Sequence, residues 1–261
     1  MRFTPVMLHD APEVRVVRLR ELNGCDERSV GDTSTETAIR LLDRLISLEG
    51  AATALASTAD LTSSDRDRLL AAVYTETFGD RIESTVTCRR CESPFDLHFS
   101  LAELRGTMAA ETGRGAERYP DNTYRLPGTP RFRLPTGRDE LAIAWLSPAE
   151  ARDQLRRRCL VEESHVGDEA LEKALQQIAP ILDVELGAQC AECGTVQMVH
   201  FDIQSYLLRA LLNEHRRLIA DVHRLAAAFT WGFQDILSLS RSERRALVDL
   251  VQADRTQRLR V

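Results

Sequence analysis

Apolar residues recur along this chain with two different periods, and the switches between them mark its elements. Ala38, Leu41, Leu42, Leu45 and Ile46 fall on one face of a helix that Thr33 or Thr35 would cap. Leu69, Leu70, Val73 and Phe78 keep near-helical spacing from Ser64 to Phe78, and Leu171, Leu175 and Ile178 do so from Asp168 to Ile178. Ser147-Pro148-Ala149-Glu150 predicts a further helix start, with serine as cap, proline in the first turn and glutamate closing a capping box. Residues 81–101 and 183–203 instead predict strand, tight turn, strand. From about Ile203 to Ala227 the positions Leu207, Leu208, Leu211, Leu212, Leu218, Ile219, Val222 and Leu225 predict one long helix with a wide apolar face. Gly232 interrupts it. A short helix over 233–239 follows, and Ser240 with Glu243 caps a last helix to about Ala253.

These elements come in an order that occurs twice. Val17-Arg18-Leu19 and Phe132-Arg133-Leu134 each lead through a short turn to a glycine, Gly24 or Gly137, followed by x-Asp-Glu. Both glycines suit turns that need positive φ. Two helices and a hairpin then follow each turn. The expectation is an α+β, mostly helical fold: a pseudo-twofold duplication of strand-turn, helix, helix and hairpin units, completed by C-terminal helices. Residues 1–105 form the first unit and 131–203 the second. Residues 106–130, rich in glycine and proline, read as a flexible connection, and 204–261 as a C-terminal helical region.

Each hairpin tip carries Cys-x-x-Cys: Cys88 with Cys91, and Cys190 with Cys193. Two thiolates on one knuckle can bite an ion from the same side, and two knuckles complete a tetrahedral shell with no open position. That pattern predicts one structural Zn2+ per chain, joining distant segments, and argues against zinc chemistry. The competing readings are two redox dithiols, unpaired core thiols or two separate metal sites. A thioredoxin-type dithiol sits where a strand enters a helix, whereas these pairs sit between strands. Separate sites would each need two more ligands. His98 and His200 share the same offset from their knuckles, but seven residues of strand at about 3.3 Å each carry them too far away. They read as strand-face residues.

Bulk properties narrow the function classes. The net charge is -6 with a pI near 5.6, and aromatics make up 5% without interleaving basic runs, which speaks against nucleic-acid binding. Lys173 is the only lysine, which reads as genomic base-composition bias. There is no signal-peptide pattern at the start and no apolar run of bilayer length, so the expectation is a cytosolic, reducing location without membrane insertion. In that setting Cys-x-x-Cys favours metal over disulfide. Cys159 reads as a core residue and Cys25 as a turn residue. No phosphate loop, GxGxxG or HExxH occurs, and His165, His215 and His223 stand singly. Asp26/Glu27 and Asp139/Glu140 read as helix-start carboxylates. Neither a catalytic constellation nor a small-molecule substrate is expected.

The C-terminal stretch is the other distinctive feature. Trp231 and Phe233 flank Gly232 at the helix break, with His223 and Phe229 before and Ile236 after, as either core or a partner-binding surface. Four stretches carry a family likeness: Thr77 to Cys91 with the strand after it, Phe132 to Glu140, Ala191-Glu192-Cys193-Gly194 with Phe201-Asp202-Ile203, and Val222 to Arg245. Together they resemble baseplate-associated zinc-knuckle proteins of contractile-tail phages and of extracellular contractile injection systems. The likeness spans about Val14 to Val251 and is most specific in the knuckles and the C-terminal pattern. Family members tend to have proline where this chain has Ser240, which puts the local turn there in question. The resemblance implies a non-enzymatic structural or assembly role, with other baseplate or tail proteins as partners, in the bacterial cytoplasm or in a phage-tail-like particle. The competing class is a zinc-ribbon adaptor for nucleic acid or a regulatory protein.

Overall fold

The computed structural model describes residues 3–11, 15–47, 55–111, 113, 115–162 and 168–258. The architecture is α+β, with about half of the chain helical and, among the described residues, four small antiparallel sheets. The elements run β1 (Phe3–Met7), β2 (Val16–Arg20), α1 (Gly24–Ser29), α2 (Thr35–Leu45), β3 (Ile46–Ser47), a 3-10 turn (Thr58–Asp60) and α3 (Ser63–Phe78). The first hairpin, β4 (Arg81–Thr87) and β5 (Pro94–Ser100), leads into α4 (Leu101–Glu111). Next come β6 (Glu117–Arg118), β7 (Thr123–Arg125), β8 (Phe132–Arg133), α5 (Gly137–Ile143), α6 (Pro148–Cys159) and α7 (Asp168–Ile178). The second hairpin, β9 (Asp183–Gln189) and β10 (Val196–Asp202), leads into α8 (Ile203–Phe229), then α9 (Phe233–Ser238) and α10 (Arg241–Arg258).

The long helix α8 is the spine. Leu207, Leu208 and Leu211 are fully buried against α2 (Leu41, Leu42, Leu45) and α3 (Leu69, Leu70), with β1 and β2 closing the same core through Val6, Val17 and Leu19. Farther along α8, Leu218, Val222 and Leu225 meet Ile236, Leu237, Val248 and Val251 of α9 and α10. A smaller core under α7 holds Tyr124, Leu126, Phe132, Leu171 and Ile178.

Three expectations are corrected. Ser34, between the two threonines expected to do so, caps α2: its side chain accepts from the Thr37 N–H. Residues 106–130 are more than a connection: they include the end of α4, β6 and β7, and Tyr124 and Leu126 are core. Gly24 and Gly137 do not adopt positive φ; each opens a short helix that the apolar pattern did not predict. Close approach is what demands glycine there. A Cβ on Gly24 would sit 2.7 Å from Leu237 Cδ2, and one on Gly137 would sit 3.1 Å from the Ala59 Cα.

The two turns are held by the same bonds. Asp26 takes both guanidinium nitrogens of Arg20 (2.5 and 2.9 Å), and Asp139 takes both of Arg133 (2.7 and 2.8 Å). Arg20, rather than Arg18, is therefore the counterpart of Arg133. Each aspartate also accepts its own cap's N–H, from Asn23 and Thr136. Burial works against the charge on Asp139, but Arg133 and the Thr136 N–H and hydroxyl outweigh it and hold the carboxyl down at about 2. The strand before each turn pairs onward after the second helix: Leu19 with Ile46, and Phe132 with Leu160.

Asp67 of α3 fastens the foot of the second hairpin by accepting the Leu182 N–H at 2.8 Å. Desolvation pushes its carboxyl up to about 7, against the pull of Arg66. A folded-state value raised this far gives stability that is full below the unfolded pKa near 4 and is lost as pH rises toward 7. Asp67→Asn keeps an acceptor and removes the titration. It should gain on the order of 2–4 kcal/mol relative to the parent at pH 8 and nothing near pH 4. Urea unfolding at the two pH values measures this.

Candidate metal centre

The two hairpins are built alike. Each has seven paired positions per strand, from Arg81↔Ser100 to Thr87↔Pro94 and from Asp183↔Asp202 to Gln189↔Val196. Each is anchored at its foot by the first N–H of the following helix: Leu101 N–H to the Asp80 carbonyl and Ile203 N–H to the Leu182 carbonyl, both 3.0 Å. At the tips the Cys88 N–H donates to the Ser93 carbonyl, and the Cys190 N–H to that of Thr195. The fourth residue after each first cysteine turns left-handed: Glu92 at φ 60° and Gly194 at φ 69°. The second tip meets that demand with glycine. The first meets it with glutamate, at some cost in backbone strain.

The tips bring the four thiols together. All four Sγ atoms lie within 4.8 Å of one another. Cys88 and Cys193 Sγ are 3.6 Å apart and Cys91 and Cys190 Sγ are 3.7 Å apart, across 105 and 99 residues of chain. Four ligands at about 2.3 Å in a tetrahedron would lie about 3.8 Å from each other, so this set fits a single tetrahedral ion. Cys88 and Cys190 are buried, and Cys91 and Cys193 reach the surface side. The Arg90 N–H points at Cys88 Sγ (3.4 Å), and the Thr195 hydroxyl lies 3.3 Å from Cys193 Sγ. Thr195, through its hydroxyl and N–H, draws the Cys193 thiol down to about 6. Although the Cys193 N–H favours a Cys190 thiolate, desolvation and the facing thiols Cys91 and Cys88 hold Cys190 up at about 11. A bound dication would favour all four thiolates and remove this inequality. The expected ligands Cys88, Cys91, Cys190 and Cys193 are thus brought to one point. His98 and His200 stay on their strands, and His200 lies beside Asp183 and Glu185 on the surface.

One residue of the centre escaped sequence reading. Gln197 of β10 is buried and crosses to the other hairpin: its Oε1 accepts from the Arg89 N–H (2.9 Å) and its Nε2 donates to the Thr87 carbonyl (3.2 Å). Phe95 packs with Ala188, Cys88 and Cys190 in the apolar floor beneath the thiols. Only partnership between the hairpins, invisible in sequence, gives Gln197 this role. Gln197→Leu strands two backbone groups and should cost about 1–3 kcal/mol. Thermal melting, together with faster loss of metal to a chelator, checks it.

Away from this centre, Phe229, Trp231 and Phe233 remain 38%, 41% and 41% exposed. Phe229 and Trp231 stack at 4.8 Å, and the Arg28 guanidinium lies over Phe233 at 5.1 Å. His223 is exposed on the same helix. Ile236, expected on this surface, is instead fully buried between α8 and α10. Trp145, at 79% exposure, is a large apolar group that the sequence reading did not single out. Among the described residues no helix is long and apolar enough to cross a membrane. Cys159 is core, and its burial pushes the thiol up to about 12; Cys25 lies in α1 rather than in a turn.

No family model, no curated protein and no solved structure matches this chain.

Proposed function

We propose that this protein is a non-enzymatic structural or assembly component of the baseplate of a contractile tail or injection particle, stapled by one zinc ion. The observation that carries the reading is the meeting of four thiols from hairpins about a hundred residues apart. A four-thiolate shell is closed to substrate and ties chain segments together, which suits a scaffold. Zinc is favoured over other ions by soft sulfur ligands and tetrahedral spacing. The recurring turn, the matching hairpin registers and the shared foot bonds support a pseudo-twofold duplication meeting at a zinc ribbon. The baseplate assignment rests on the resemblance carried by the knuckles and the C-terminal pattern. Its partners are other tail or baseplate proteins, met in the bacterial cytoplasm or in the particle.

Contact is assigned to Phe229, Trp231 and Phe233, which stay two-fifths exposed while their neighbours Ile236 and Leu237 fill the core. Aromatic anchors of this kind are typically worth about 2 kcal/mol or more at an interface. Trp231→Ala is expected to leave the melting temperature of the isolated protein nearly unchanged and to abolish co-purification with co-expressed baseplate proteins. A sharp drop in melting temperature with partners retained would return Trp231 to the core and remove the contact assignment.

A further inference from the structure

The Glu27 and Glu140 turns are two copies of one socket, and both are occupied in the same way. In the second, Thr62 bridges to Thr136, the Ser63 N–H donates to the Pro135 carbonyl (3.0 Å), and Arg66 reaches Glu140 at 2.7 Å. In the first, Ser240 bridges to Asn23, the Arg241 N–H donates to the Leu22 carbonyl (2.8 Å), and Arg244 reaches Glu27 at 2.7 Å. The arginine lies four residues after the bridging residue in both. A short helical turn lies over the socket glycine in both, Ala59 on Gly137 and Leu237 on Gly24. Even the orphan atoms match: Nε and Nη1 of Arg66 and of Arg244 are buried without a hydrogen-bond partner. The second socket takes its plug from the other half of the molecule. It is a receptor for an element of a neighbouring unit.

The first socket's plug, α9–α10, hangs from α8 by Thr230, Trp231 and Gly232. Thr230 is β-branched and sits at φ 56°, a conformation such residues rarely adopt, so the closed hinge is strained. A cavity of about 440 Å³ runs along the seam between plug and body, lined by Leu22, Asn23, Val73, Thr77, Ser240 and Arg241. Short strained hinges favour exchange of the element they carry, because opening relieves the hinge while every docking contact is remade in the partner.

We propose that α9–α10 is an exchangeable arm and that it docks in trans into the Glu27 socket of a second copy of this chain, giving an arm-swapped dimer. The occupant is set by chemistry. The socket presents Glu21 to the Ser242 N–H and hydroxyl, Glu27 to Arg244 and Arg241, and Glu214 to Arg241 and Arg245, and α10 of another copy carries that same set. The inference is independent of the metal and of the baseplate reading.

Full-length Glu27→Arg and Arg244→Glu chains test it. Each opposes like charges in its own socket. In a mixture, the arm of the first chain meets an intact Glu27 on the second. Light scattering and native mass spectrometry should show a one-to-one heterodimer that neither variant forms alone to a comparable extent. Folded variants that stay apart on mixing would overturn the proposal. The wild-type chain supplies a readout that does not depend on those variants folding. Refolded at high concentration, it should yield a dimer fraction that drops several-fold in Thr230→Gly, where the closed hinge is relaxed. A wild-type chain that remains monomeric throughout, or a Thr230→Gly chain that dimerises equally, would also overturn it.

Discussion

Cys190→Ser, or removal of the metal by a chelator, is expected to lower the melting temperature of the isolated protein by about 10 °C or more. The thiols join the hairpins at their tips, where Gln197 also crosses from one to the other and Phe95 and Ala188 form a small floor; at their feet Phe99 meets Phe201 edge-on at 5.0 Å. Without the ion, a two-stranded hairpin is marginal on its own. Cys190 is buried, and its hairpin leads directly into α8, so release at the tip is transmitted to the spine of the core through the Ile203 N–H on Leu182. Cys25→Ser is the control. Cys25 is half-buried, with its sulfur 4.0 Å from the Gln234 side chain, and its loss should shift neither melting nor metal content. Elemental analysis should return one zinc per parent chain. A result of none, or of two, would defeat the shared-site reading, whatever the stability data say.

The four-thiol cluster was legible in the sequence because each of its halves is specified locally. A Cys-x-x-Cys between two alternating segments specifies a knuckle, and two such knuckles specify a shell. Helix positions were legible for the same reason: α7 and the start of α8 lie where apolar spacing puts them, and Ser147 with Glu150 forms the capping box that the spacing predicts. What stayed hidden was set by contact between distant segments. Gly24 and Gly137 look like turn glycines, yet the constraint on them comes from Leu237 and Ala59. Gln197 looks like a polar strand residue until the Thr87 carbonyl is found opposite it. Ile236 and Trp231 lie in one apolar stretch, and only packing separates the buried residue from the exposed one. The short helices α1 and α5 carry too few apolar residues to show a period, so Asp26 and Asp139, which complete the capping boxes opened by Asn23 and Thr136, were the trace they left.

Those aspartates have glutamate neighbours, and the second large effect is expected there. Glu27 is 3% exposed and faces Arg244 (1%) at 2.7 Å and Arg241 (5%) at 3.1 Å. Taking one partner from a buried ion pair costs about 3–5 kcal/mol, because the opposite charge remains desolvated. Glu27→Gln leaves two guanidiniums in that state, with Arg241 relieved only through Glu214 at 2.8 Å. Loss of 3 kcal/mol or more in urea unfolding is expected, roughly a 10 °C fall in melting temperature for a chain of this size. Glu140→Gln should cost visibly less. Glu140 is 25% exposed, water can reach it, and among the described residues it pairs with one arginine, Arg66. The Glu27→Met, Arg244→Leu double variant should recover part of the loss, since an apolar pair of similar volume needs no compensation. Metal content should stay at the parent value in all three, because the residues packed and bonded around Cys88, Cys91, Cys190 and Cys193 do not include Glu27, Glu140 or Arg244. If Glu27→Gln and Glu140→Gln cost the same, or if both cost under about 1 kcal/mol, these pairs behave as surface ion pairs do, and burial is not what gives the sockets their strength.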